Sequence, residues 1–327
     1  GETHLNEVCD RLVFSDGGTS QYSTNYHRTF VHAFVWAVCC YRLQARPIPE
    51  WLINALERST SFLEALVEPI SGSGPFIGAD DGGRLLKVSQ DAYRSLAPDA
   101  ALARSILSAP PEPGEDEHES TVWFQHLRGD HRLARPQADE GQPSVQSFPV
   151  FGLYVLAVGS TRLYVRCGPS DFRPSHDDQL HCDLWVDGVN VFGDPGTASY
   201  HPAEGQPGLI SAGRYHNGPR PTDRPAMELA SRFLWSGWVT GRLLDLTVTD
   251  HMVHGEFELE MFDGTMLRRS VELGDGSLQV VDSSSVAGAI ETHWLLHNKT
   301  SAASGLSMTW EVDGGSWTDR SEAVGSG

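Results

Sequence analysis

The sequence predicts an α-then-β protein of two domains, a helical part followed by a large antiparallel β-sandwich, and three observations carry that expectation. At 327 residues the chain exceeds the usual size of a single core. Apolar side chains recur at three- and four-residue steps as far as Leu107, the spacing of one helix face, and at two-residue steps after Pro149, the spacing of one strand face. Between them, from Ala109 to Pro149, the chain is rich in Pro, Gly, Glu and Asp, with only a short apolar patch at Val122–Phe124, as in a connecting segment. The expected domains are residues 1–140 and 141–327.

In the helical part, Phe30, Ala33, Phe34, Ala37, Val38 and Tyr41 share one face of a helix expected over Asn25–Ala45. A second follows Pro47 and Pro49 with Leu52, Leu56, Leu63 and Leu66 on its face. Pro69 and the Gly72–Pro75 stretch end it, by removing an amide donor and favouring turns. Gly78–Gly83 reads as a loop, and a third helix is expected from about Ser89 to Leu107, broken at Pro98. Residue 1 opens directly onto a helical pattern, so no signal peptide is expected in this copy. In the β part, Leu153 and Val155 face Leu163 and Val165 across Gly159-Ser160, and Leu184 and Val186 face Val189 and Val191 across Asp187-Gly188. Phe257, Leu259 and Met261 precede Asp263-Gly264 and Met266, and Leu278–Val281 adds a strand.

The formal charge of 24 minus 43, or −19, argues against a nucleic-acid or anionic-membrane partner recognised through a broad basic face; an anionic ligand has to meet a local basic pocket. Cys9, Cys39, Cys40, Cys167 and Cys182 make no C-x-x-C pair and no zinc-finger spacing, so neither a disulfide framework nor a cysteine metal site is expected. No apolar run approaches the roughly 18 residues that span a bilayer.

Two clusters stand out as chemistry. Asp16–His27 packs Tyr22, Asn25, Tyr26 and His27 into the first turn of a helix that Ser23 or Thr24 can cap. A phenol beside a cation can exchange protons; a buried tyrosine with a satisfied hydroxyl is the plainer alternative. In the strand region His176, Asp178, His181, Asp183 and Asp194 fall on or before a hairpin, and His216-Asn217 lies downstream. Imidazole with carboxylate suits zinc or a similar divalent ion, against the alternative of histidines bonded to loop carbonyls and Asp194 opening a turn. Alternation along the strand puts His181, Asp183 and Trp185 on one face.

Taken together these residues resemble the heparinase II/III-like polysaccharide lyases. The family's helical motif, D-G-x-x-x-E-Q-S-x-x-Y-H, is matched by Asp16, Gly17, Ser23, Tyr26 and His27, with Gln21 and Tyr22 where Glu and Gln are commoner. Its sheet motif, H-x-H-x-D-x-L followed by D-P-G-T, resembles His176–Leu180 and Asp194–Thr197, with Pro174 in the first His position. His216-Asn217 resembles its A-H-N-T segment, and Gly78–Arg84 its G-x-x-D-G-x-R loop.

The resemblance implies a partial α/α toroid joined to an antiparallel β-sandwich, and β-elimination on an acidic polysaccharide containing uronic acid, such as a glycosaminoglycan. It implies Tyr26 as the proton-transfer residue, and His176, Asp194 and His216 as ligands of a divalent, zinc-type metal. His176 or His181 is the alternative substitute for the catalytic His missing at Pro174. Asn25, His27, Arg84, Arg173 and Arg220 are the candidate substrate binders, since Arg grips carboxylate or sulfate bidentately. Such lyases carry further toroid helices ahead of the Tyr-His motif, so the chain is expected to be a C-terminal portion, with those upstream helices as a partner. The substrate class favours a secreted or periplasmic setting. Two other functions compete: a carbohydrate-binding protein without chemistry, and a metal-dependent glycoside hydrolase using Asp178 and Asp183.

Overall fold

The computed structural model describes residues 1–107, 118–128, 141–200, 210–231, 233–286 and 290–296. Its helices are α1 (Glu2–Leu12), α2 (Thr24–Leu43), α3 (Glu50–Leu66), α4 (Ala97–Leu107) and α5 (Glu119–Trp123). Ser23 caps α2, its hydroxyl accepting from the Tyr26 amide at 3.0 Å. On α3, Leu52, Leu56, Leu63 and Leu66 are all fully buried, as their spacing requires; each contributes roughly 2 kcal/mol of burial.

The third helix is shorter than expected. It starts at Ala97, and Pro98 lies in its first turn, where a missing amide costs nothing, rather than breaking a longer helix. The preceding segment spends its polar groups on α2 instead. Arg28 donates to the Tyr93 carbonyl at 2.7 Å and lies over the Tyr93 ring at 4.7 Å, while the Leu86 amide donates to His32 Nδ1 at 3.2 Å. Asp99 collects His32 at 3.0 Å, Arg84 at 3.1 Å and Arg28 at 3.4 Å in a buried ion cluster. Val122 and Trp123, expected in a linker, fall in the short helix α5.

The first sheet has five antiparallel strands in chain order, β1 (Ser144–Phe148), β2 (Leu153–Val158), β3 (Thr161–Arg166), β4 (His181–Val186) and β5 (Val189–Phe192). After the short β6 (Pro219–Pro221) and the hairpin β7 (Glu228–Ser231) with β8 (Leu234–Ser236) comes a second sheet. Its strands are β9 (Thr240–Val248), β10 (Met252–Glu260), β11 (Met266–Gly274) and β12 (Ser277–Ser284), in spatial order β12-β11-β10-β9; β13 (Ile290–Thr292) pairs with β6. The three turn signals each close a hairpin: Asp187 and Gly188, for example, take φ of 49° and 77°, the left-handed pair that a two-residue turn needs.

Strand alternation divides the first sheet between two cores. Leu153, Val155, Tyr164 and Trp185 face the helices and join Leu52, Leu56, Phe62 and Val35 in one cluster. Tyr154, Leu156, Leu163, Val165 and Leu184 face the other way and pack with Val253, Phe257, Leu267 and Val271 of the second sheet. The layers are therefore helices, sheet and sheet. β2 is buried at every position because it sits in the middle layer. Among the described residues the helices make one layer on the sheet, and no closed toroid is shown. All five cysteines are free. No described helix is long and apolar enough to cross a membrane.

Candidate active site and metal centre

Most of the Asp16–His27 motif is spent on architecture: Asp16 and Tyr22 join the helices to the sheet side, and Ser23, Thr24, Asn25 and His27 bond within the helical part. Asp16 Oδ2 accepts from the Val150 and Phe151 amides, both at 2.8 Å, and Oδ1 from the Gly18 amide at 3.1 Å. Gly17 has φ of 91°, and a Cβ there would stand 2.1 Å from the Arg58 carbonyl oxygen, so only glycine fits. The Tyr22 hydroxyl accepts from the Asp171 amide at 3.1 Å, which fixes the loop leading to His176. Ser23 donates to the Ala79 carbonyl at 2.6 Å, and Thr24 to the Pro75 carbonyl at 2.7 Å.

Three expected ligand-facing side chains turn inward. His27 is wholly buried, its ring 4.7 Å from that of Phe62 and its Nε2 donating to the Ser59 carbonyl at 2.8 Å. Asn25 is buried, donating to Asp80 Oδ1 at 2.6 Å and accepting from Arg28. Arg84 belongs to the Asp99 cluster. These groups answer to the fold, because each already has a buried partner that a ligand would have to displace. Arg220 lies on β6 and pairs with Glu291 of β13. Arg173 is exposed beside Phe172, and both line a cleft of about 370 Å³ with Gln21 and α1 residues including Arg11.

From Gln21 to His27, only Gln21 and Tyr26 keep partial exposure. The Tyr26 phenol faces Tyr200 and Asp81; burial first, then these two neighbours, push its pKa well above the ordinary tyrosine value. Sequence reasoning missed both partners, because contacts between residues 26, 81 and 200 leave no local signature.

The imidazoles converge across the sheet loops. His176, Asp194 and His216 each offer a ligand atom within 4.8 Å of one another, all buried. His216 Nδ1 donates to Asp194 Oδ2 at 2.8 Å. Burial alone would raise Asp194, but the His216 contact outweighs it and holds the carboxyl down at about 2. Burial likewise opposes charge on His216, yet without a cation Asp194 lifts it to about 9, a proton that a bound cation would displace. His176 is pulled down to about 4 by burial and then by His216, so its ring stays neutral and able to ligate. His176 Nδ1 and His216 Nε2 have no hydrogen-bond partner despite full burial. Orphaned polar atoms of this kind cost about 1–3 kcal/mol each, and a cation held by the three residues would relieve them, so the donor set fits a metal. His181 stands beside this group, its Nδ1 accepting from the Asn217 amide at 2.9 Å and its Nε2 3.9 Å from Asp194. Asp183 is fully engaged by Trp185, Asn190 and the Asp194 amide, while Asp178 lies 3.7 Å from Arg166, so this pair does not make a hydrolase's facing carboxylates.

A short chain of hydrogen bonds links the two clusters. The Asp80 amide donates to Thr197 Oγ1 at 2.8 Å, that hydroxyl lies 3.2 Å from His176 Nε2, and Asp80 Oδ1 holds Asn25, the neighbour of Tyr26. Asn25 of α2 and the imidazole centre thus meet at Asp80, and the next residue, Asp81, faces the Tyr26 phenol.

A helical layer on an antiparallel sandwich, with a buried His-Asp-His centre at the seam, defines the class. A family model described as heparinase II/III-like, C-terminal, matches residues 140–326, more than half of the chain. The chain belongs to the heparinase II/III-like family. Similar solved structures include heparinase III as the BT4657 gene product (17% identity, TM-score 0.64, 90% of this chain and 43% of that one). The crystal structure of heparinase III is 19% identical with TM-score 0.60, over 88% of this chain and 43% of that one. The heparan sulfate lyase HepC from Pedobacter heparinus is 15% identical with TM-score 0.63, over 91% and 43%. These likenesses establish the fold, and the chain spans less than half the length of those proteins. No curated protein matches the sequence.

Proposed function

We propose that the protein is a polysaccharide lyase that cleaves a uronic-acid-containing acidic polysaccharide by β-elimination, with Tyr26 as the proton-transfer residue. The observation that carries the reading is that Tyr26, alone with Gln21 in the stretch from Gln21 to His27, keeps partial exposure beside the Asp80-Asp81 loop, which also bonds through Thr197 to the imidazole centre. In the reaction the C5–H bond breaks, a C4–C5 double bond forms and the C4–O4 bond breaks, so one proton leaves C5 and one reaches O4. A ring nitrogen engaged by a cation cannot also take a proton. His176 is therefore assigned to the metal with Asp194 and His216, and both proton moves go to Tyr26, which takes the C5 proton as phenolate and returns it to O4 as phenol. His176, Asp194 and His216 would hold a divalent ion of zinc type, which would supply a fixed positive charge to keep their loops in place. Arg173, exposed beside the cleft, neutralises substrate carboxylate or sulfate.

The helices fit the C-terminal part of an α/α toroid whose remaining helices would close the far wall of the cleft. Since two of the similar structures are heparinases III by name and another is a heparan sulfate lyase, heparan sulfate is the first substrate to offer, then chondroitin sulfate and alginate. Turnover is read as the ultraviolet absorbance of the unsaturated product. Full activity in Tyr26→Phe would remove the proposed role.

A second reading is favoured by Pro174, which leaves the first His position empty, and by the depth of His176 and His181: a non-catalytic carbohydrate-binding protein keeping the lyase fold. It gives saturable oligosaccharide binding without product on any of these polymers.

A further inference from the structure

We propose that the tip of the β7–β8 hairpin is a sugar-stacking platform, in which Phe233, backed by Tyr200 and flanked by the Arg173 guanidinium, receives an anionic sugar unit next along the chain from the one at Tyr26. The kind of ligand rests on the lyase reading; the platform itself rests on four observations about this hairpin.

Phe233 is half exposed and belongs to neither hydrophobic core, although a phenylalanine ring gains most by burial. It is not an isolated surface ring. The Tyr200 ring lies 5.3 Å from it at 60°, and the Tyr200 side chain also faces the Tyr26 phenol, so Tyr200 bridges the proposed reacting residue and the hairpin tip. Arg173 donates to the Phe233 carbonyl oxygen, which sets a guanidinium at the edge of the platform, and among the described residues it meets no carboxylate. On a chain of net charge −19 a polyanion needs such a local cation to approach at all.

The hairpin is also fixed in position. Trp235 is buried, and its indole Nε1 donates to the Ser175 carbonyl at 3.1 Å, one residue before His176. That bond ties the platform's height to the imidazole centre, so a chain lying on Phe233 would enter the junction at a set level. A pyranose offers a face of C–H groups that fits an aromatic ring, and its carboxylate or sulfate at the rim would take the Arg173 fork.

The test uses the full chain carrying Tyr26→Phe, so that bound material is not consumed, titrated calorimetrically with tetrasaccharides from heparan sulfate, chondroitin sulfate and alginate. At least one is expected to bind. Phe233→Ala should then weaken it about tenfold, Phe233→Tyr should keep affinity within about twofold, and Arg173→Gln should weaken it and flatten its salt dependence. Thermal midpoints of the Phe233 variants should match the parent, since the ring is outside both cores. Equal affinity in Phe233→Ala, an equal loss in Phe233→Tyr, or no binding of any tetrasaccharide overturns the platform. Phe233-dependent binding by a parent protein that forms no unsaturated product would instead keep the platform and remove the lyase reading.

Discussion

Acidification should destabilise the fold through His27. Its imidazole is wholly buried, Nε2 donates to the Ser59 carbonyl, and Nδ1 has no partner, so a second ring proton would be buried without an acceptor. Burial lowers its pKa from 6.5 to about 4, with the Ser59 carbonyl opposing. As pH falls the unfolded chain therefore takes up this proton first. Stability from the neutral ring is present above the unfolded value of 6.5 and is lost as pH falls through about 4. A difference of about 2.5 pH units corresponds to about 3 kcal/mol, of which about 2 kcal/mol is gone by about pH 5. Urea unfolding followed by tryptophan fluorescence at about pH 7.5 and about pH 5 measures it, with His27→Gln as the reference that keeps an amide donor for Ser59 but does not titrate. The parent should lose about 2 kcal/mol more than the variant between those two conditions. Equal losses would refute the argument, and with it the assignment of His27 to the core rather than to a ligand.

Three further outcomes follow from the site. Asp81→Asn removes a carboxylate that helps hold the Tyr26 phenol protonated, so the alkaline rise of kcat/KM expected of a phenolate base should move toward neutral pH; an unmoved limb would separate Asp81 from the reaction. Chelation should lower the thermal midpoint of the parent, and His216→Ala should abolish both that response and about one equivalent of bound zinc by elemental analysis; a chelator effect that persists in the variant would place the metal elsewhere. Asp16→Ala strands the Val150, Phe151 and Gly18 amides and should cost about 2–4 kcal/mol in urea unfolding; a cost within about 0.5 kcal/mol would mean that water replaces the carboxylate.

The sequence-level reading succeeded where a local rule decides the outcome. Alternation and glycine-containing turn signals located β2–β5, β10 and β11, and helical spacing located α2 and α3, because each signal is complete within about twenty residues. It failed at Ser89–Leu96, where the Tyr93 carbonyl and ring are taken up by Arg28, itself a member of the buried Asp99 cluster, a long-range contact that no periodicity encodes. The same limit applies to the site. Spacing brought His176, Asp194 and His216 forward through the family pattern, but Asp81 and Tyr200 meet Tyr26 only through tertiary folding.

The density of polar residues in Asp16–His27 suggested catalysis, yet hydrogen bonds account for most of them as architecture. Asp16 and Tyr22 accept from amides across the seam, and Ser23, Thr24 and Asn25 bond to the 75–80 loop of the helical part. From the sheet side Thr197 crosses to Asp80 and also meets His176, while Asn217 ties its loop to β4 through His181 and the Cys182 carbonyl at 2.9 Å. A seam of this kind has to be rebuilt whenever the fold is kept, whether or not the protein turns over sugar. The motifs therefore report the junction more strongly than they report the reaction. On the proposed reading, what would separate an active lyase from a binding protein lies in the few groups the junction does not consume: Tyr26 with its two neighbours, the proline at position 174, and Arg173 beside the cleft.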